Sequence, residues 1–188
     1  MNTLQVISLS HENASLAYRE ALQLSAPEAD LFMLSLKQRD LVTGLVVVTT
    51  CNRTEVYFES EGTPTTLIQE ELLSFKKIEN RAIYQKLFKN IRQSQDTFQY
   101  LLEVGIGLRS QVLGDRQIIS QLKASYQQAH ALQVTSPLLH RGFNPCSRPT
   151  NGCITRLLSG WEHLRWATPR WSGSLISSRA KHLPRRNC

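Results

Sequence analysis

Leu45-Val46-Val47-Val48-Thr49-Thr50-Cys51-Asn52-Arg53-Thr54-Glu55-Val56-Tyr57-Phe58 is the stretch on which the fold turns. Its apolar, β-branched opening has no helical period and reads as a buried strand. Cys51-Asn52 interrupts it, and a strict alternation follows. Arg53, Glu55 and Tyr57 would face one side of a second strand, Thr54, Val56 and Phe58 the other. A thiol therefore stands where a strand ends, with a guanidinium two residues on. A free thiol, with a pKa of ~8.5, is only a few per cent ionised at neutral pH unless a cation or a helix terminus assists. Arg53 is placed to give that help, or to grip a substrate carboxylate with its fork of donors. The same residue types also suit a plainer role, with Cys51 a small core hydrophobe and Arg53 a solvated surface charge.

Outward from this pair, Leu4 to Leu9 reads as a first strand. Asn13 is a helix cap, with Leu16, Ala17, Ala21 and Leu24 on the apolar face. Ser25-Ala26-Pro27-Glu28 has the form of a capping box, opening a helix through Leu31, Phe32 and Leu36. Thr63-Pro64 starts another helix, with Leu67, Ile68, Leu72 and Phe75 inward. By period alone Ile83 to Ile91 is strand or helix. Asp96 caps a helix carrying Phe98, Leu101 and Leu102 that stops at Gly105 and Gly107. This order suits an α+β sandwich with an antiparallel sheet. After Gly114, Asp115 is an N-cap for a long helix, with Ile118, Leu122, Tyr126 and Ala129 inward. Gln117 and Gln121 share a neighbouring face near its positive end, suited to orienting a polar, anionic substrate or simply solvated.

A chain of 188 residues holds one full domain and part of another, and a hydrophobic share of 41% fits a globular protein. No apolar run approaches a membrane span, and no basic-then-apolar leader opens the chain. Four scattered cysteines do not form a disulfide framework, which favours a reduced, cytoplasmic protein. The net charge of +7 would suggest a nucleic-acid partner, but residues 1–141 hold fourteen charges of each sign. The excess lies in residues 142–188, with eight basic residues against one acid. There Gly142-Phe143-Asn144-Pro145 breaks the helical pattern, and an irregular stretch follows with all three tryptophans. Cys146, Cys153, His163, His182 and Cys188 lack the short spacing of a structural zinc site, so no metal is expected. No glycine-rich phosphate loop follows a strand, so no residue here is assigned to a cofactor.

Thr50-Cys51-Asn52-Arg53-Thr54-Glu55-Val56-Tyr57 closely resembles the signature of glutamyl-tRNA reductases, which begin five-carbon tetrapyrrole (porphyrin) synthesis. Gly107 to Gln121 (Gly-Leu-Arg-Ser-Gln-Val-Leu-Gly-Asp-Arg-Gln-Ile-Ile-Ser-Gln) resembles that family's second block, in the expected order. The resemblance implies a catalytic domain over residues 1–141, a ferredoxin-like antiparallel sheet with added helices followed by the long helix after Gly114, and then an irregular tail over 142–188; it tips Ile83–Ile91 towards a fourth strand. It implies that Cys51 attacks the ester joining glutamate to its tRNA, and that hydride from NADPH reduces the resulting thioester to glutamate-1-semialdehyde. Thr50, Asn52 and Arg53 are then substrate-holding, with Arg53 the partner of the glutamate carboxylate. Ser110, Asp115, Arg116, Gln117 and Gln121 match substrate-contact positions, although the family usually has glutamate and proline at 115 and 116. Arg109 replaces a common aspartate, and Tyr100, standing where the family has a histidine important for activity, is the second catalytic candidate beside Cys51, either as a hydrogen-bond donor only or with another group doing the proton work. A phenol, of pKa ~10, carries protons poorly at neutral pH compared with imidazole at ~6.5. His11 resembles the family's early Asn-His segment and reads as structural.

The family forms a homodimer and precedes the glutamate-1-semialdehyde aminomutase, a possible partner; the dimerising and NADPH-binding parts would lie beyond this chain. A shifted reading frame across Thr150–Arg156 permits a family-like helix, so residues 142–188 read as a frameshifted tail without a domain of its own. Two other readings stand beside the enzyme: a non-catalytic RNA-binding module using the basic tail, and an inactive pseudogene product.

Overall fold

The central stretch folds as a β-hairpin. Strand β2 (Gly44–Thr50) pairs antiparallel with β3 (Arg53–Ser60), Thr50 opposite Arg53, so Cys51 and Asn52 alone make the turn. Two-residue hairpin loops commonly rely on positive φ, yet neither Cys51 nor Asn52 has it. Thr50 supplies a different device: its hydroxyl accepts the N–H groups of Asn52 and Arg53, both at 3.2 Å.

The computed structural model describes residues 2–62, 64–112 and 117–143. Strand β1 (Thr3–Ser10) lies beside β3, and β4 (Lys89–Ile91) beside β1. The sheet order is β2-β3-β1-β4, antiparallel throughout. Helices α1 (Leu16–Leu22) and α2 (Ala26–Gln38) connect β1 to β2; α3 (Thr65–Phe75) and α4 (Arg81–Leu87) connect β3 to β4. This is the split βαβ arrangement of a ferredoxin-like fold, as expected. Three helices follow: α5 (Ser94–Gly105), α6 (Gln117–Ala131) and α7 (Pro137–Phe143).

Every residue of β3 is buried, because both faces are covered. On one face the Thr54 hydroxyl donates to the Leu22 carbonyl of α1. On the other, Tyr57 meets Phe143 of α7 edge-on at 5.3 Å, and Tyr100 of α5 reaches Glu55. The outer edge of β2 is covered too: Leu45 N–H donates to the Val134 carbonyl, and a Cβ on Gly44 would stand 2.6 Å from Ser136 Cβ. Covering an edge in this way removes a site for unwanted strand pairing.

Several local expectations are corrected. Residues Ile83–Ile91 are mostly helix α4, and the fourth strand is only three residues long. Asn13 does not cap α1; its side chain accepts from Ser10 N–H and donates to the Ser8 carbonyl, bracing the end of β1, while Ser15 holds the N-cap position. Leu16 and Leu31 are 54% and 61% exposed, and Leu67 is exposed as well. Met33, Arg19 and Leu73 are buried in the helices concerned. Gln93, not Asp96, is the N-cap of α5. The predicted stripe of α6 holds: Ile118, Leu122, Tyr126 and Ala129 are all buried. Helix α7 continues through Gly142 to Phe143, which stacks on Tyr126 at 5.7 Å, so the folded unit includes Phe143. The frameshift reading and the cysteine and histidine positions from Cys146 onward lie outside the described residues.

The capping box at α2 forms. Ser25 N–H and hydroxyl both donate to Glu28 at 2.7 Å, and Lys76 donates to its other oxygen at 2.9 Å. The Ser25 backbone bond, then its hydroxyl and Lys76, lower the Glu28 carboxyl from 4.5 to about 2. A carboxyl depressed by folding stabilises fully above its unfolded value and loses that contribution as pH falls towards its folded one. Urea midpoints should therefore drop between pH 4.5 and 2 in the native protein, and drop less steeply in Glu28→Gln. Parallel pH curves for the two would refute this.

Candidate active site

Cys51 is exposed at the hairpin tip. Besides Thr50, the turn is held from β1 and α1: the Asn52 carbonyl accepts His11 N–H at 3.0 Å, and its Oδ1 accepts Arg19 Nη1 at 3.3 Å. The thiol thus sits in solvent on a braced turn, which rules out the reading of Cys51 as a core residue. Burial, then the Arg53 charge, lowers the His11 imidazole from 6.5. This favours the neutral imidazole, whose Nδ1 is buried without a partner among the described residues.

Arg53 is 2% exposed, so it is not a solvated charge. Its Nη1 pairs with Glu55 at 2.9 Å and its Nη2 donates to the Arg109 carbonyl. Burial opposes the Arg53 charge, but Glu55, with Tyr100 and Tyr57, outweighs it and raises the guanidinium above its ordinary value. Glu55 is the hub. Tyr100 donates to Oε1 at 2.7 Å and Tyr57 to Oε2 at 2.8 Å. Ser8 Oγ lies 3.0 Å from Oε1 and 2.8 Å from Tyr100 Oη, with one proton to give. Burial first, then the Glu55 charge, pushes both phenols well above 10. Tyr100 is consequently a fixed donor and not a proton carrier at neutral pH.

The segment after α5 closes over this cluster. Gly107, at φ 74°, makes the left-handed step that ends the helix. Leu108 N–H returns to the Glu103 carbonyl and Ser110 N–H to the Gly107 carbonyl. The Arg109 guanidinium lies 4.8 Å from the Tyr100 ring centroid, and Lys89 Nζ 5.0 Å from it. Beside them a cavity of about 220 Å³ is lined by Lys89, Ile91, Asp96, Gln99, Tyr100, Glu103 and Arg109.

Of the residues expected from the sequence, Thr50, Cys51, Asn52 and Arg53 share one hairpin, and Arg53 joins Tyr100 through Glu55 and reaches the backbone next to Ser110. Gln117 and Gln121 are exposed on α6, whose buried stripe packs on β2, the strand that leads to Cys51. Asp115 and Arg116 lie outside the described residues. Arg53 was expected to meet a substrate carboxylate; here its charge meets Glu55 instead. The parts missed are Glu55, Tyr57 and Ser8. Their signal was present in opposite charges two apart on one strand face, but not the helix that buries that face.

A ferredoxin-like α+β domain that presents a free thiol on a rigid hairpin tip, above a buried charge cluster, defines the class. Residues 7–149 match the family model of the glutamyl-tRNA(Glu) reductase N-terminal domain. The chain belongs to that family. A glutamyl-tRNA reductase of Cytophaga hutchinsonii is 38% identical over 182 residues, covering 95% of this chain and 42% of the relative. That of Pasteurella multocida is 33% identical over 132 residues, 66% of this chain and 30% of the relative. The chain thus spans less than half the length of these relatives. The Cytophaga alignment also extends beyond residue 141, so the resemblance is wider than the motifs alone suggested. The solved glutamyl-tRNA reductase of Methanopyrus kandleri has the same fold, at TM-score 0.62 and 21% identity, covering 96% of this chain and 40% of that one. Among the described residues no helix is long and apolar enough to cross a membrane.

Proposed function

We propose that this chain carries the acyl-capturing step of a glutamyl-tRNA reductase, with glutamyl-tRNA as substrate and Cys51 as nucleophile. The observation that carries this reading is the exposed Cys51 thiol on a turn fixed by Thr50, His11 and Arg19. The thiolate sulfur bonds to the ester carbonyl carbon, and the carbon–oxygen bond to the 3′-terminal ribose breaks. The ribose oxygen leaves with its electron pair and takes a proton from water, replacing the one the thiol gave up. A thioester and free tRNA result. Asn52 of the turn, Ser110 of the segment bonded to Arg53, and Gln117 and Gln121 of α6 are assigned as polar substrate contacts. Tyr100 and Glu55 hold Arg53 in place beneath them.

Reduction of the thioester to an aldehyde belongs to NADPH in the whole family protein. No residue of this chain is assigned to that cofactor. The homodimer and the aminomutase contact that the resemblance implies are assigned to no residue of this chain. A free, exposed thiol suits a reducing compartment, the cytoplasm. The test is to incubate the chain with charged tRNA and look for a hydroxylamine-labile glutamyl adduct on the peptide holding Cys51. No adduct, with release of glutamate at the rate of buffer alone, overturns the reading.

A further inference from the structure

Arg109 is the side chain that joins the segment carrying Ser110 to the frame that holds Cys51. Its Nη1 lies 2.9 and 3.2 Å from the two oxygens of Glu12, ninety-seven residues earlier, and its Nε and Nη2 lie 2.7 and 2.6 Å from Glu103 on α5. Burial works against the Arg109 charge, but Glu103 and Glu12 outweigh it and raise the guanidinium above its ordinary value. Two carboxylates thus share one guanidinium, and the Tyr100 ring lies against it.

Glu12 is itself tied down. Its N–H donates to the Ser10 hydroxyl, Asn13 and Ala14 N–H groups return to the Ser10 carbonyl, and its neighbour His11 donates to the Asn52 carbonyl of the Cys51 turn. On the other side, the Arg109 carbonyl receives Arg53 of β3. One residue therefore touches the turn between β1 and α1 through its side chain and the thiol-bearing hairpin through its backbone. Resting on the function proposed above, we infer that Arg109 is a positioning residue, a clamp that sets Ser110 against the Cys51 turn through Glu12 and Glu103. The buried charge cluster fixes where the segment lies, and the Arg109 pairs fix its register. Paired guanidinium–carboxylate contacts on two sides suit that task because together they restrict angle as well as distance.

The test uses the full chain with Arg109→Met, which keeps length and apolar volume, and with Glu12→Gln. Amide exchange at Leu108 and Ser110 is expected to speed up tenfold or more in both variants. Glutamyl transfer from charged tRNA is expected to fall at least tenfold at saturating tRNA, while alkylation of Cys51 by iodoacetamide stays within twofold of native. Arg109→Lys should recover part of both losses. Unchanged exchange in Arg109→Met overturns the clamp, and so does alkylation falling in step with transfer, which would place the effect on the thiol itself. Exchange and alkylation need no tRNA, so the clamp is decided even if Cys51 proves not to be the nucleophile.

Discussion

Cys51→Ser is expected to slow tRNA-dependent release and capture of glutamate by about a hundredfold or more, with the adduct absent. The size follows from the surroundings. An alcohol ionises far less readily than a thiol, so serine needs a base to act as nucleophile. Among the described residues no side-chain base hydrogen-bonds the Cys51 thiol: Tyr100 is committed to Glu55, and the His11 N–H that reaches the turn is its backbone amide. Because Cys51 is exposed in a turn held by Thr50 and not by its own side chain, stability should change by less than about 0.5 kcal/mol. A melt shifted by several degrees, or release equal in the two proteins, would remove Cys51 from the chemistry. Thr50→Val separates chemistry from presentation. It deletes the hydroxyl that accepts both turn amides while leaving the thiol in place.

The central strand was legible from the sequence because β3 is read on its own atoms: alternation fixes which residues share a face, whatever covers them. The α2 capping box and the α6 stripe were legible for the same reason, since Ser25 with Glu28 and Ile118 with Leu122 are short-range patterns. Helices α1 and α3 were misjudged in detail because their buried sides are decided by neighbours. Leu16 faces solvent while Arg19 turns inward to Asn52. Residues Ile83–Ile91 carry an apolar content that serves helix or strand equally, and only the sheet edge decides where α4 yields to β4. At the site, the motif residues were legible and their partners were not. Glu55 meets a tyrosine forty-five positions later, and Arg109 meets a glutamate ninety-seven earlier. No local period encodes such distances.

Glu55→Ala is expected to cost about 3–5 kcal/mol, read as a lower urea midpoint at unchanged slope. Arg53, 2% exposed, would keep its charge and lose its counter-ion, while Tyr57 and Tyr100 would lose their acceptor. Glu55→Gln retains an acceptor and the shape, so its loss should be smaller. A buried ion pair is often matched in stability by apolar residues of similar volume. Arg53→Met with Glu55→Leu should therefore regain much of the stability that Glu55→Ala loses. Glutamyl transfer should not return with it, since the Arg53 bond to the Arg109 carbonyl goes with the guanidinium. Stability without transfer would assign the pair to holding the segment beside Cys51, and a fully active double variant would assign it to packing alone. A loss below about 1 kcal/mol in Glu55→Ala would mean that water reaches Arg53 and that the cluster is not the closed unit its geometry describes.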